Sequence, residues 1–224
     1  MKFKISKLKL IIAGMAILTA VFYVVKSQIE SYQLKRVIER LTADSRVAEV
    51  IVTDVKRDSK TKKSHTTIKF LEYDTKLNPL EPKYFTFSGN IIQFQSMVIR
   101  FDDFYVKKGH PLKGKSAYLF MKAFMLTNNG AETFEITKIN EIPSGYEVMD
   151  VKNNFEKKIW QKFWEYALNP KEAGKVGIKN AQIEAPGIRF IPGMIYTIKI
   201  EHDGGLRIDA KPVNPILKHE KIKF

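Results

Sequence analysis

The only residues whose types and spacing invite catalysis are Asp102, Asp103 and His110, which fall within nine positions of one another. Two carboxylates near an imidazole can hold a divalent metal or divide the work of general acid and base. In extended backbone, however, Asp102 and Asp103 point to opposite faces, so a turn would be needed to aim both at one substrate. We read them as solvated loop charges. The other histidines, His65, His202 and His219, lie far apart, and none belongs to an HExxH or His-x-His pattern. GxSxG, GxxxxGK[ST] and GxGxxG are all absent. Ser59 and Lys62 match the spacing of an SxxK pair, but they sit in a polar turn without an apolar helix around it. The chain has no cysteine, which excludes disulfides, thiolate metal sites, a cysteine nucleophile and a lipidated cysteine. The expectation is a protein that is not an enzyme, with no catalytic residues, no metal ligands and no cofactor.

Binding chemistry has more candidates. Lys56, Arg57, Lys60, Lys62 and Lys63 form the tip of an expected hairpin and could contact a lipid headgroup or glycan; the Lys107–Lys115 loop is a second basic stretch. Trp160 and Trp164, four residues apart on a helical pattern, could stack a ligand, although covering a sheet is the commoner use of such a pair. Phe70 and Tyr73 beside Lys69 are too few aromatics for a nucleic-acid surface, and no nucleic-acid partner is expected.

The net charge of +14 is uneven. Residues 1–47 hold nine bases and three acids, so nearly half the excess lies in the first fifth of the chain. That region opens with Lys2, Lys4, Lys7 and Lys9, and then runs from Leu10 to Val25 without a charge. Eighteen residues, Leu8–Val25, would span about 27 Å as a helix, close to a hydrocarbon core of about 30 Å. The expectation is an uncleaved single-pass transmembrane signal-anchor. A cleaved signal peptide ending at Ala20 is the rival, weakened by Leu18 two residues earlier. The basic run would stay in the cytoplasm, leaving the C-terminal domain periplasmic or extracellular and the protein in the inner (cytoplasmic) membrane. Ile29, Leu34, Val37, Ile38 and Leu41 continue the helix as an apolar stripe, a candidate contact for a partner helix.

Beyond the stalk, Ala48–Asp58 and His65–Asp74 read as a hairpin. Lys83–Asp103 reads as strands with two changes of phase and a bulge or hairpin turn at Gly89–Asn90. Residues 117–127, nearly all apolar behind the N-cap candidate Ser116, read as a buried helix ended by Asn128–Gly130. A strand over Thr133–Ile139, a helix over 150–169 and β-structure from Val176 to Lys211 follow, including a hairpin across His202–Gly205.

The expected fold class is therefore α+β: one mixed or antiparallel sheet domain with two packed helices, on a transmembrane helix that continues into a stalk. The expected division is 1–26 anchor, 27–46 stalk, 47–211 domain and 212–224 tail. The expected function is that of a non-catalytic accessory or scaffold subunit of a membrane or envelope complex, with the membrane and a protein as partners. The alternative is a binding module for an anionic envelope component.

Overall fold

The computed structural model describes residues 12–26, 28–29, 46–59, 63–101, 116–147, 157, 160–161, 164–165, 168–169, 171, 178–201 and 205–214. Strands dominate the described residues, at 53% of them, in two antiparallel sheets. The α+β expectation is thereby corrected: the body of the protein is a β-sandwich.

The first sheet has the order β10-β9-β1-β2-β3. Its members are β1 (Arg46–Arg57), β2 (Ser64–Glu72), β3 (Lys83–Phe87), β9 (Met194–Ile200) and β10 (Leu206–Pro212). The second has the order β6-β5-β4-β7. It comprises β4 (Ile91–Phe101), β5 (Ser116–Thr127), β6 (Gly130–Glu135) and β7 (Ile178–Glu184), with the short β8 (Gly187–Arg189) also on β4. Because β7 pairs with Ser96–Phe101 and β8 with Ile91–Gln93, the two share one lane beside β4.

Alternation builds the first sheet. Val50 lies opposite Phe70 and Tyr196, and Ala48 opposite Glu72 and Ile198, so the inward face of β1, β2 and β9 is largely apolar. The β1–β2 hairpin expected from that pattern forms, with a bulge between Val52 and Asp54. Aromatic rings join the sheets. Phe70 stacks on Phe94 with centroids 5.5 Å apart and meets Phe120 edge-on at 5.6 Å. Phe134 packs on Phe85 and Phe87, and Phe190 links Phe94 to Tyr196. These pairs place β3 over β6, β2 over β4 and β5, and β9 beside β8.

Three other expectations fail for physical reasons. Residues 117–127 form β5, not a helix. Ala117, Tyr118, Leu119 and Phe120 are all at most 3% exposed, so both faces of this strand are buried and no alternation shows. Gly89–Asn90 is not a hairpin turn, because β3 belongs to the first sheet and β4 to the second; the segment carries the chain between layers. Gly89 leaves room there for Met125, whose sulfur would lie 2.8 Å from an added Cβ. The second phase change expected in β4 does not occur either. Ile92, Phe94 and Val98 share the inner face, while Met97 is buried on the other one. Two turns follow their residue chemistry. Asn128–Asn129 with Gly130 at φ 130° closes the β5–β6 hairpin, and Pro192–Gly193, with Gly193 at φ 80°, leads into β9.

The transmembrane, signal-anchor and single-pass expectation is also corrected. The described N-terminal helix, α1, covers residues 12–26, about 22 Å at 1.5 Å per residue. Among the described residues no helix is long and apolar enough to cross a membrane. Gln28 and Ile29 are helical as well; Leu34, Val37, Ile38 and Leu41 of the expected stripe lie outside the described residues. In the expected 150–169 helix, Lys157, Trp160, Gln161, Trp164, Glu165 and Leu168 have helical backbone, with the two tryptophans buried and the rest exposed.

Candidate functional site

One end of the sandwich holds a buried polar cluster built from four separate stretches. Arg46 opens β1 in the inward phase shared by Ala48 and Val50, and Glu72 closes β2 in the matching phase. Their side chains, 1% and 8% exposed, form an ion pair through Arg46 Nη2 and Glu72 Oε1. A short turn, Ser144–Tyr146, lays the Tyr146 ring against the guanidinium, 5.0 Å from centroid to Cζ. Gly145 is required at that approach, because a Cβ would overlap the Arg46 guanidinium. Trp160 completes the stack, its ring centroid 5.4 Å from that of Tyr146. Among the described residues, Nε and Nη1 of Arg46 have no hydrogen-bond partner.

This cluster is a clamp. Tyr146 Oη accepts from the Tyr118 amide at 2.9 Å and donates to the Tyr118 carbonyl at 3.1 Å. It therefore bonds β5 beyond the point where β6 stops, at the Lys122–Glu135 pair. Trp164 Nε1 donates to the Glu141 carbonyl at 2.8 Å, fastening the helical segment to the same loop. Groups this deeply buried are closed to a substrate, and their arrangement holds the 141–147 segment on the sheet.

Burial pushes the Tyr146 hydroxyl up to about 12 from its ordinary 10.0. The folded state therefore keeps a proton that the unfolded chain releases from pH 10. This contribution is fully present below pH 10 and is lost as the pH rises through 12, a loss of roughly 2–3 kcal/mol for a shift of that size. Tyr73, raised to about 12 by burial and by its bond to Glu49, adds a loss of the same sign. Urea unfolding at pH 9 to 12 should show a shallower alkaline fall in Tyr146→Phe than in the wild type. Equal slopes would assign the ionisation to another group.

The basic tip is only partly free. Lys56 and Arg57 end β1 and Lys63 precedes β2, all three exposed; Lys60 and Lys62 lie outside the described residues. Lys56 Nζ sits 3.1 Å from Asp54. Lys63 and His65 lie close enough to Glu132 to favour its charged form. Burial alone would raise the Glu132 carboxyl, but bonds from the Ser88 hydroxyl and amide outweigh this and hold it below the usual value. Asp102, Asp103, His110, His202 and His219, together with the Lys107–Lys115 loop, lie outside the described residues. Among the described residues no group of His, Cys, Asp and Glu has the geometry to hold a metal ion.

Among the described residues, exposed large apolar side chains are concentrated on α1. Between Ile12 and Val25, nine large apolar side chains are 51–71% exposed, and they point to every side of the helix. The one side-chain hydrogen bond described there, Thr19 Oγ1 to the Met15 carbonyl at 2.8 Å, stays within the helix. Sequence reasoning found this apolar run and the basic tip, but missed the clamp. Its signal was present: Arg46 and Glu72 are charges in the apolar phase of two paired strands. No protein-family model, curated protein or solved structure matches the chain.

Proposed function

We propose that the chain is a non-catalytic accessory or scaffold subunit of an envelope complex, in which the β-sandwich is the folded body and α1 the element a partner protein covers. The observation that carries this reading is the exposure of α1 on all sides. A helix apolar all round is stable in a surrounding that covers all of it, and burying each of its large side chains contributes roughly 1.5–3 kcal/mol. We place the sandwich outside the cytoplasm on the N-terminal pattern, in which Lys2, Lys4, Lys7 and Lys9 precede an apolar run of the kind that directs chains to export. A C-terminal alkaline phosphatase fusion should be active, and an inactive fusion would reverse that placement.

The docking role is tested on the tagged full-length protein, extracted from its own cells in mild non-ionic detergent. A stoichiometric protein partner is expected with the wild type and should be lost in the Leu18→Asp/Phe22→Asp variant. The near-ultraviolet signal of Trp160 and Trp164 should be unchanged in that variant. Retention of the partner by the variant, or its absence from the wild type, would contradict the reading.

A second reading, a binding module for an anionic lipid headgroup or glycan, draws on the exposed Lys56, Arg57 and Lys63. The acids beside Lys56 and Lys63 make it the weaker of the two. Salt-sensitive flotation with anionic vesicles, abolished by Lys56→Glu/Arg57→Glu/Lys63→Glu, would favour it.

A further inference from the structure

Asn129–Gly130 is the only Asn-Gly pair in the sequence, and it lies in the turn of the β5–β6 hairpin. Asn128, Asn129 and Gly130 are all exposed. The Thr127 hydroxyl organises the main chain of this turn: it accepts from the Asn129 amide at 3.3 Å and donates to the Gly130 carbonyl at 3.1 Å. Among the described residues, none of these bonds holds the Asn129 carboxamide. Gly130, at φ 130°, is flanked by open space, since an added Cβ would meet no atom within 4 Å. Its amide belongs to the last rung of the hairpin, opposite Thr127, and terminal rungs open most readily. The other asparagines of the described loops are better protected. Asn78, Asn169 and Asn214 precede prolines, which have no N–H. Asn90 precedes the β-branched Ile91, the first residue of β4. Asn128 and Asn140 precede residues that carry a side chain beside the amide and also bond it, Asn129 to Thr127 Oγ1 and Glu141 to the Lys138 carbonyl.

We propose that Asn129 is a site of slow, water-driven deamidation that rewrites the main chain at this turn. Hydroxide removes the Gly130 amide proton, and the nitrogen attacks Cγ of Asn129. The new N–Cγ bond closes a cyclic imide, and the carboxamide nitrogen takes up a proton and leaves as ammonia. Glycine permits the closure because no side chain shields the attacking nitrogen. Water then adds to one of the two imide carbonyls and breaks that carbonyl's bond to nitrogen. Opening at Cγ leaves an aspartate at position 129. Opening at the main-chain carbonyl leaves an isoaspartate, whose main chain runs through Cβ and Cγ and is longer by a methylene. The net change is hydrolysis of the carboxamide to a carboxylate and ammonia, with no oxidant or reductant. The turn sets the register of β6 on β5, with Thr127 opposite Gly130 and Lys122 opposite Glu135. β6 is the edge of the second sheet, and it carries Phe134, packed on Phe85 and Phe87, and Glu132, bonded by Ser88. A longer main chain in the turn therefore loosens the strand that ties the two sheets together at this edge.

The test uses the full chain in non-ionic detergent, which shields α1, incubated at neutral and at mildly alkaline pH in water enriched in heavy oxygen. Digestion with trypsin in ordinary water then releases residues 123–138 as one peptide for mass spectrometry. Label should enter that peptide at position 129, as both aspartate and isoaspartate. It should enter faster at the higher pH, because the attacking form is the deprotonated amide. Asn129→Ser should lose the label, and Asn128→Ser should keep it. In hydrogen exchange of the incubated samples, β6 amides should speed up in the modified fraction of the wild type and not in Asn129→Ser. Absence of label at 129 in the folded chain, loss of that label in Asn128→Ser, or β6 exchange unchanged by the modification overturns the proposal.

Discussion

Glu72→Ala should destabilise the sandwich by about 3–5 kcal/mol, read as a shift in the urea midpoint at pH 7 with the slope of the transition unchanged. The effect would exceed that of an ordinary surface glutamate because of what remains. Arg46, 1% exposed, would keep its charge without its counter-ion, and Nε and Nη1 already lack partners among the described residues. Removing both charges tests this explanation. In Arg46→Met/Glu72→Met the buried charge is gone and its volume is largely kept, so the double variant should lie within about 1–2 kcal/mol of wild type. A double variant as unstable as Glu72→Ala would show that the loss came from packing around Tyr146 rather than from the stranded guanidinium.

Trp164→Ala should cost a similar amount, about 3–5 kcal/mol. The side chain is 0% exposed, and its indole N–H satisfies the Glu141 carbonyl. Truncation leaves a cavity and an unpaired acceptor together. Trp164→Phe, which keeps most of the ring but not the donor, should recover more than half of the loss. A cost below about 1 kcal/mol for the alanine variant would mean that Trp164 is not enclosed by the fold.

Where one face of a strand is solvated, the sequence was readable. Ala48, Val50, Ile68 and Phe70 alternate with polar residues, and the β1–β2 hairpin follows from them. The same holds for the β9–β10 hairpin. In β5 the rule loses its input, because Ala117, Tyr118, Leu119 and Phe120 are buried on both faces and are followed by the helix formers Met121, Lys122 and Ala123. A run apolar at every position fits a buried helix and a doubly buried strand alike. The neighbouring Asn128–Gly130, read there as a helix stop, is the turn of a hairpin, and the alternation in Thr133–Glu135 on its far side is the clue that separates the two. The span was over-read for a related reason: an uncharged run shows that a helix must be covered, without showing by what. The clamp was half legible. Arg46 and Glu72 break the inward pattern and mark themselves, whereas Tyr146 comes from an irregular segment and its place on the β5 edge has no periodic signature.

The central claim is that a protein covers α1, and site-specific photo-cross-linking in living cells tests it most directly. A photoreactive side chain is placed at Leu18 or at Phe22, with the exposed β3 position Thr86 as the control. The account predicts one discrete protein adduct, the same from both helix positions and absent from Thr86. Adducts with lipid alone, or no adduct from either helix position, would contradict it.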